Sequence, residues 1–241
     1  MPKYKIFHFK SLASTQDKAK EFSKKGLSKA VVIADIQTKG RGRFKRKWHS
    51  NIGGLWISIL LKPKDTGNLQ HLTFAAAVAV ARSIKKITGL NTNIKWPNDV
   101  HYEGKKLCGI LTEGIFGKEK YAVVGIGLNV NQEEFPNEIR NAASSLKIIK
   151  KQTINMEKIT QKIINEFFIL YSNYYNKNKL EKILKIWEKH CDTINKNVIV
   201  ITTTKRIKGK AIGIDKDCSL LLKTKDNKIT KIIEGDVSIR Y

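Results

Sequence analysis

Residues 37–48 read QTKGRGRFKRKW, a run in which glycines alternate with arginines and which ends at a tryptophan. Glycine lets a backbone take positive φ and approach a ligand closely. Arginine offers a planar fork of donors and lysine a point charge, and both suit phosphate and carboxylate oxygens. Trp48 adds a flat face on which a purine could stack. This run could therefore bind an anionic ligand that carries a base.

The same run has two plainer interpretations. It could be a solvated basic loop, or a loop that binds single-stranded nucleic acid through its arginines and its aromatic residue. It is not a P-loop, because no GxxxxGK[ST] follows a strand, and it lacks the GxGxxG spacing of dinucleotide folds. Taken alone, the run leaves these alternatives open.

Three later segments place further polar groups next to strands. In residues 95–99, KWPND, a proline fixes a turn from which two polar side chains emerge. In residues 105–113, KKLCGILTE, Lys106 leads into an apolar strand. A lysine on a rigid strand can stabilise the negative charge that develops at an acyl-phosphate. Residues 125–131, GIGLNVN, predict a strand whose glycines let a ligand pass closely.

The elements that must position these segments predict an α+β fold. Ser14 is typical of a helix N-cap, and that helix should end at Gly26. Residues 38–54, called the basic loop below, form a connection much longer than usual, which favours a functional role. Strands are predicted at 4–9, 30–36, 55–61, 92–96, 100–103, 107–113 and 121–130, and further helices at 69–87, 156–175 and 180–190.

The pattern changes beyond Asn195, where the apolar runs become short and closely spaced. Strands are predicted there at 198–203, 208–214, 219–223, 229–233 and 237–241. Such spacing is typical of a small β-barrel of about 45 residues. We therefore expect a main domain at residues 1–192 and a β-barrel domain at residues 193–241.

Composition narrows the classes of function. The chain has 46 lysines and arginines against 21 acidic residues, a formal net charge of +25 that attracts polyanions and acidic proteins. The lysines are spread along the chain, which indicates a compositional bias more than a nucleic-acid groove.

No apolar run suits a bilayer span or a signal peptide, so we expect a cytoplasmic protein. Three separated cysteines and five histidines without metal-ligand spacing predict neither a disulfide scaffold nor a structural metal site.

Taken in order, GRGRxxRxW, KWPND, KLCGILTE and GIGLNVN resemble the bacterial and archaeal biotin–protein ligases. The early run Ser14-Thr15-Gln16 resembles that family's Ser-Thr-Asn element, and residues 209–215 with 235–240 resemble its small SH3-like domain. The resemblance covers nearly the whole chain. It implies a mixed β-sheet catalytic domain of the biotin/lipoate ligase type, followed by an SH3-like β-barrel.

The resemblance implies a biotin site. Polar side chains of the early run and the glutamine before the basic loop would hydrogen-bond the ureido end of biotin. Backbone of the basic loop would close over the ligand, and a glycine of the KLCGILTE strand would allow close approach. The implied biotin-binding residues are Ser14, Thr15, Gln16, Gln37, Gly40, Arg41, Lys106 and Gly109.

The resemblance also implies an adjoining nucleotide site, formed by Arg41, Arg43, Arg46, Trp48, Asn98 and Asn129. The arginines would bind carboxylate and phosphate oxygens, and Trp48 would pack near the adenine. Lys106, Arg43 and Asp99 are the implied catalytic residues. Lys106 would contact the biotin carboxylate and the α-phosphate and stabilise the transition state. Mg²⁺ would enter with ATP, since no side-chain cluster holds a metal, and Asp99 could help to bind it.

The implied activity is ATP-dependent transfer of biotin to a lysine of a biotin carboxyl carrier protein. A homodimer through the main sheet is a further implication of the resemblance, and membrane association is not expected. The first predicted strand begins within a few residues of Met1. The bifunctional members carry a helix-turn-helix domain ahead of that point, so we expect no specific DNA binding and no repressor role.

Four residues depart from the family pattern. Gln16 replaces the asparagine of the early element, which puts only that contact in doubt. Lys45 stands where the family loop often has a glycine, Cys218 stands where a turn often has one, and Asp236 replaces a common glutamate. None of them is the implied catalytic lysine. The alternative functions are a lipoate–protein ligase or octanoyltransferase, a basic nucleic-acid-binding module, and an inactive scaffold.

Overall fold

The computed structural model of the protein describes residues 4–202 and 204–240, in which there are two β-sheets and five α-helices. The strands are β1 Lys5–Leu12, β2 Lys29–Gln37, β3 Gly54–Leu61, β4 Asn93–Lys95, β5 Asp99–Tyr102, β6 Lys105–Ile115, β7 Tyr121–Asn129, β8 Asn197–Ile201, β9 Arg206–Ile214, β10 Leu220–Lys223, β11 Ile229–Ile232 and β12 Asp236–Arg240. The helices are α1 Thr15–Lys24, α2 Leu69–Thr88, α3 Leu146–Lys150, α4 Met156–Leu170 and α5 Leu180–Glu188.

The larger sheet has seven strands in the order β1-β2-β3-β7-β6-β5-β4. Strands β1 and β2 are parallel and every other neighbouring pair is antiparallel, so the sheet is mixed, as expected. The smaller sheet is antiparallel throughout, in the order β11-β10-β9-β8-β12. The α+β fold with a small all-β C-terminal domain of SH3-like type is therefore confirmed.

The two faces of the larger sheet are covered unequally. On one face α2 lies over the centre of the sheet with α4 and α5 behind it, and this layer forms the main core. On the other face α1 packs against β2, β3 and β7, where Ala19 joins Val32 and Val123 in a smaller apolar cluster. Because α1 has only ten residues, it covers one half of this face. The rest of that face is available for a site.

The smaller sheet is tied to the larger one through Trp96. Its indole Nε1 donates to the backbone oxygen of Cys218 at 2.9 Å, and its backbone nitrogen donates to Oγ1 of Thr193 at 3.0 Å. Trp96 is only 1% exposed. Trp96 therefore follows directly after β4, and its buried side chain anchors a turn of the C-terminal sheet.

Two of the departures from the family pattern fall where the backbone is left-handed. Lys45 has φ 57° and Cys218 has φ 70°. Glycine adopts positive φ without the steric cost that a Cβ atom brings. Both positions therefore have a backbone that suits glycine, and this chain adopts it with larger residues. The three cysteines are free thiols, and burial raises the pKa of each, that of Cys191 to about 11.

The boundaries differ from the sequence predictions in a few places. The helix predicted at 156–175 ends at Leu170 and continues as a π-helical segment, Tyr171–Tyr175. Helix α3 was not predicted, because its five residues are too short to show a period. The basic loop ends one residue early, since Gly54 begins β3. Residues Thr203 and Tyr241, predicted to end two strands, lie outside the described residues. No helix in the described part of the chain is long and apolar enough to cross a membrane.

Phe74 on α2 provides a test of the main core. It is fully buried, and its ring stacks on Trp187 with 4.0 Å between centroids. We expect Phe74→Ala to lower the free energy of unfolding by about 3–5 kcal/mol, measured by urea denaturation. The matched control is Phe116→Ala, whose side chain is 66% exposed and should contribute less than about 0.5 kcal/mol. Equal losses in the two variants would contradict this description of the core.

Candidate active site

A pocket of about 410 Å³ lies on the half of the sheet that α1 leaves free. Its floor includes Gly109 of β6 and Gly125 and Gly127 of β7. Gly109 pairs with Gly127 across the two strands, and residues two apart on a strand share a face. The three glycines therefore leave a strip of bare backbone, called the glycine strip below.

Trp48 lies on the glycine strip. A Cβ atom on Gly109 would be 3.1 Å from the Trp48 ring, and one on Gly127 would be 2.5 Å from the indole Nε1. The ammonium group of Lys106 lies 5.1 Å from the centroid of the same ring, within range of a cation–π contact. A side chain at Gly127 would therefore displace the indole, whereas one at Gly109 would require the ring to give by a few tenths of an ångström.

The basic loop folds back on itself before it reaches Trp48. Arg41 and Lys47 form an isolated antiparallel β-bridge. The backbone nitrogen of Gly42 donates to the backbone oxygen of Arg46 at 2.8 Å, and the backbone nitrogen of Trp48 donates to the backbone oxygen of Gly40 at 3.0 Å. A Cβ atom on Gly40 would be 2.4 Å from Oγ of Ser50. Gly40 is buried at the base of this hairpin and is the one predicted site residue that does not line the pocket.

Arg41 is held by carboxylates at the mouth of the pocket. Its two terminal nitrogens each donate to a carboxylate oxygen of Asp17 at 2.7 Å, and Nη2 lies 3.5 Å from Glu113. The hydrogen bond from Arg41 lowers the pKa of Asp17, and the same bond raises the pKa of Arg41. The guanidinium of Arg41 was expected from the sequence to bind the ligand. In this structure it binds the chain's own carboxylates instead.

Arg43 and Arg46 connect the basic loop to the C-terminal sheet. Nη1 of Arg43 donates to Oδ1 of Asn98 and to the backbone oxygen of Gly235, each at 3.2 Å. Arg46 forms an ion pair with Asp236 at 2.5 Å. Burial lowers the pKa of the Arg43 guanidinium, which stays charged because an arginine loses its proton only far above neutral pH. The C-terminal sheet thus contributes directly to the position of the loop.

Lys106 sits beside a β-bulge. His101 pairs with Lys106 while Val100 pairs with Cys108, so β6 carries one extra residue at this point. Bulges of this kind redirect a side chain. The backbone on both sides of Lys106 is fixed by the segment 142–144, through bonds of 2.8 and 3.1 Å. The lysine Nζ lies 2.7 Å from Oδ1 of Asp99, which keeps it inside the pocket.

Polar side chains at one end of the pocket form a connected network. Oε1 of Gln37 accepts from the backbone nitrogen and the hydroxyl of Thr15, at 2.8 and 3.0 Å, and its Nε2 donates to Ser50 at 2.9 Å. Ser58 contacts the Thr15 hydroxyl and donates to Oε1 of Gln16, both at 2.8 Å. The amide nitrogen of Gln16 donates to two strand carbonyls, so only its oxygen could accept from a ligand.

Several pocket residues were missed by the sequence analysis. Phe135, Ile139 and the pair Ala142–Ala143 form an apolar wall, and Asp236 and Val237 close the rim from the C-terminal sheet. The wall belongs to an irregular connection without periodicity, and the rim depends on contacts far apart in sequence. Asn129, which was predicted, lines the pocket and donates from Nδ2 to the backbone oxygen of Ser144 at 3.0 Å.

The pocket brings together all the predicted residues except Gly40. They are Ser14, Thr15, Gln16, Gln37, Arg41, Arg43, Arg46, Trp48, Asn98, Asp99, Lys106, Gly109 and Asn129. Two carboxylates line it, Asp99 and Asp236, and both are paired with cations. Within the described part of the chain there is no group of three side chains that could hold a metal ion alone. The arrangement suits an anionic ligand with an aromatic portion.

Comparisons with known proteins agree with this geometry. Residues 8–131 match the Biotin/lipoate A/B protein ligase family, and residues 193–240 match the Biotin protein ligase C terminal domain. The bifunctional ligase/repressor BirA of Bacillus subtilis is 37% identical over 99% of this chain and 75% of its own length. BirA of Escherichia coli is 30% identical over 86% of this chain and 65% of its own length.

A solved structure supports the same relationship. The biotin protein ligase from Aquifex aeolicus in complex with biotin and ATP superposes with a TM-score of 0.87 at 32% identity, covering 98% of both chains.

The contact between Trp48 and the glycine strip can be tested in solution. We expect Gly127→Ala to displace the indole, because the added Cβ would lie 2.5 Å from Nε1. The readout is the indole N–H resonance of Trp48, assigned with Trp48→Phe, which should shift. Gly213→Ala is the matched control, since a Cβ there meets nothing within 4 Å. An unmoved Trp48 resonance in Gly127→Ala would show that the ring does not lie on the strip.

Proposed function

The chain belongs to the Biotin/lipoate A/B protein ligase family and is a biotin–protein ligase, and we propose from this premise that it activates biotin with ATP and attaches it to a lysine of a carrier protein. The observation that carries the proposal is the convergence of Lys106, Arg43 and Trp48 on one pocket above the glycine strip. Cations and an aromatic face are the groups that an acyl-adenylate requires.

We assign the biotin end to the polar network. Thr15, Gln37 and Ser14 lie at the end of the pocket formed by α1 and the basic loop. The hydroxyl of Thr15 and the amide of Gln37 already hold each other in place, so these two side chains lose little entropy when a ligand binds. The planar ureido group of biotin both donates and accepts hydrogen bonds, which this network can match. Gln16 would contribute only its oxygen.

We assign the nucleotide end to the arginines and the apolar wall. Arg43 and Arg46 would bind phosphate oxygens, with Asn98 fixing Arg43 at 3.2 Å. The adenine would lie between Trp48 and the wall that contains Phe135, with Asn129 beside it. Arg41 would exchange a bond to Asp17 for one to the ligand. This arrangement places charge where phosphate oxygens accumulate and apolar surface where the base lies.

The pocket is compatible with a magnesium ion that arrives with the nucleotide. Mg²⁺ is usually bound through one or two carboxylates together with substrate phosphates. Asp99 is a pocket carboxylate suited to this role, and its Lys106 partner at 2.7 Å would move toward the phosphate. When bound, the ion would offset the negative charge of the phosphates.

The proposed reaction has two steps. A carboxylate oxygen of biotin attacks the α-phosphorus of ATP, the bond to the β-phosphate oxygen breaks, and pyrophosphate leaves. The amine of the acceptor lysine then attacks the acyl carbon, and AMP leaves with the electron pair of the anhydride bond. Lys106 and Arg43 stabilise the charge that develops on the α-phosphoryl oxygens. Positioning of the reacting groups by the rigid strands accounts for the rest of the rate enhancement.

Closure of the basic loop would protect the intermediate. Its contacts with α1 through Arg41 and with the C-terminal sheet through Arg46 hold it over the pocket. Exclusion of water prevents hydrolysis of the mixed anhydride before the acceptor arrives. We propose a cytoplasmic site of action, as expected from the sequence. The homodimer stays a prediction.

Biotin-dependent exchange of pyrophosphate into ATP tests the adenylation step. We expect the wild type to catalyse the exchange and Lys106→Ala to lower its rate by about 10²- to 10³-fold, because a donor to the developing charge is removed. Lys105→Ala is the matched control, since Lys105 is exposed on the same strand, and its rate should be unchanged. Exchange supported by lipoate or octanoate, but not by biotin, would contradict the proposal that biotin is the substrate. A folded protein that catalyses no exchange with any of these acids would contradict the proposed ligase activity.

The absence of a repressor role is a separate proposal. It rests on the two family matches, at residues 8–131 and 193–240, both of which are to ligase domains. We expect a gel shift with a biotin-operon operator to show no sequence preference over scrambled DNA, in the presence of biotin and ATP. A specific, competitor-resistant complex would contradict this.

A further inference from the structure

Four cations lie together on the C-terminal sheet, outside the pocket. Lys208 and Lys210 occupy alternate positions of β9, and Lys223 of β10 pairs directly with Lys210. Lys225 follows in the next turn, and all four line a groove of about 500 Å³ that has no acidic residue in its walls. None of the ion pairs among residues 4–202 and 204–240 involves these four side chains. We call this surface the lysine face.

The lysine face carries an electrostatic cost in the free protein. Lysines that pair directly across two strands have side chains about 5 Å apart, and like charges in this position are destabilising. Lys210 and Lys223 are such a pair. A partner that brings carboxylates to the groove would relieve this repulsion as well as form new ion pairs.

Exposed isoleucines border the cations. Ile201 pairs with Arg206 and is 47% exposed, and Ile229 pairs with Lys223 and is 63% exposed. Paired residues share a sheet face, so apolar and positive groups are mixed there. The described positions of this face include no aromatic side chain, whereas proteins that bind single-stranded nucleic acid stack bases on aromatic residues. The mixture favours a protein partner.

The lysine face is continuous with the rim of the pocket. Asp236 of β12 pairs with Ile201 of β8 and lines the pocket, where it binds Arg46. Four residues along β8 lead from Ile201 to Asn197 in the groove, a distance of about 13 Å. A protein that inserts a lysine into the pocket would therefore lie within reach of these cations.

We propose that the lysine face docks an acidic surface of the acceptor protein while its target lysine enters the pocket. This inference rests on the proposed function and adds the surface that recognises the macromolecular substrate. Ion pairs at the edge of an interface act chiefly on the rate of association and on its salt dependence. The lysine face thus speeds the transfer step and has no part in adenylation.

The test compares two triple variants with the same change of charge. The first is Lys208→Glu, Lys210→Glu, Lys223→Glu on the lysine face. The control is Lys158→Glu, Lys177→Glu, Lys182→Glu, three exposed lysines around α4 and α5. The first readout is kcat/KM for transfer to a purified, negatively charged biotin carboxyl carrier domain, at about 0.05 M and about 0.5 M NaCl. The second replaces the carrier with hydroxylamine, which attacks the acyl carbon, releases AMP and forms the hydroxamate without docking.

We expect the lysine-face variant to lose about tenfold or more in carrier kcat/KM at low salt, and less at high salt, with unchanged hydroxamate formation. The control variant should lose less than about twofold. Equal losses in both variants, or none in either, would overturn the proposal. So would loss of binding to a fluorescent single-stranded oligonucleotide with carrier transfer unchanged, which would assign the face to nucleic acid.

The outcomes also separate this inference from the proposed function. A wild type that forms no hydroxamate from biotin and ATP fails at adenylation, whatever the lysine face does. If the triple variant unfolds, Lys208→Gln with Lys210→Gln provides the same comparison with a smaller change. Unaltered transfer by that folded double variant at low salt would then overturn the proposal.

Discussion

The site depends on a strip of β-sheet that carries no side chains. Gly109 and Gly127 face each other across two central strands, so a flat indole can lie directly on the backbone. On the opposite face of the same strands, Ile110, Ile126 and Leu128 are buried under α2. One side of the strip therefore receives the indole, and the other side is rigidly supported. A mobile support could not hold Lys106 and Trp48 at fixed positions above it.

The second organising feature is the set of contacts that fixes the basic loop. Each of its three arginines has a protein partner on a different element: Asp17 on α1, Asn98 after β4, and Asp236 on β12. The C-terminal sheet is consequently a part of the pocket wall as well as an appendage, and Trp96 holds it there. A ligand that displaces any of these partners must compete with an existing ion pair or hydrogen bond.

Local sequence patterns predicted much of the fold and the site. Alternating apolar residues located the strands, and the left-handed φ values at Lys45 and Cys218 match positions at which the family often has glycine. The glycine spacing in GIGLNVN predicted close approach on one face. What the sequence did not reveal is non-local. The Arg46–Asp236 pair joins residues that lie far apart in the sequence, and the wall at Phe135 lies in a segment without periodicity.

The most direct test of the central claim is a crystal structure of the protein after incubation with biotin and MgATP. We predict a biotinyl-adenylate with its acyl-phosphate oxygens within hydrogen-bond distance of Lys106 Nζ and Arg43, its ureido group at Thr15 and Gln37, and its adenine beside Trp48. An adenylate bound elsewhere, or one in this pocket while Lys106 stays on Asp99 without contacting it, would contradict the account.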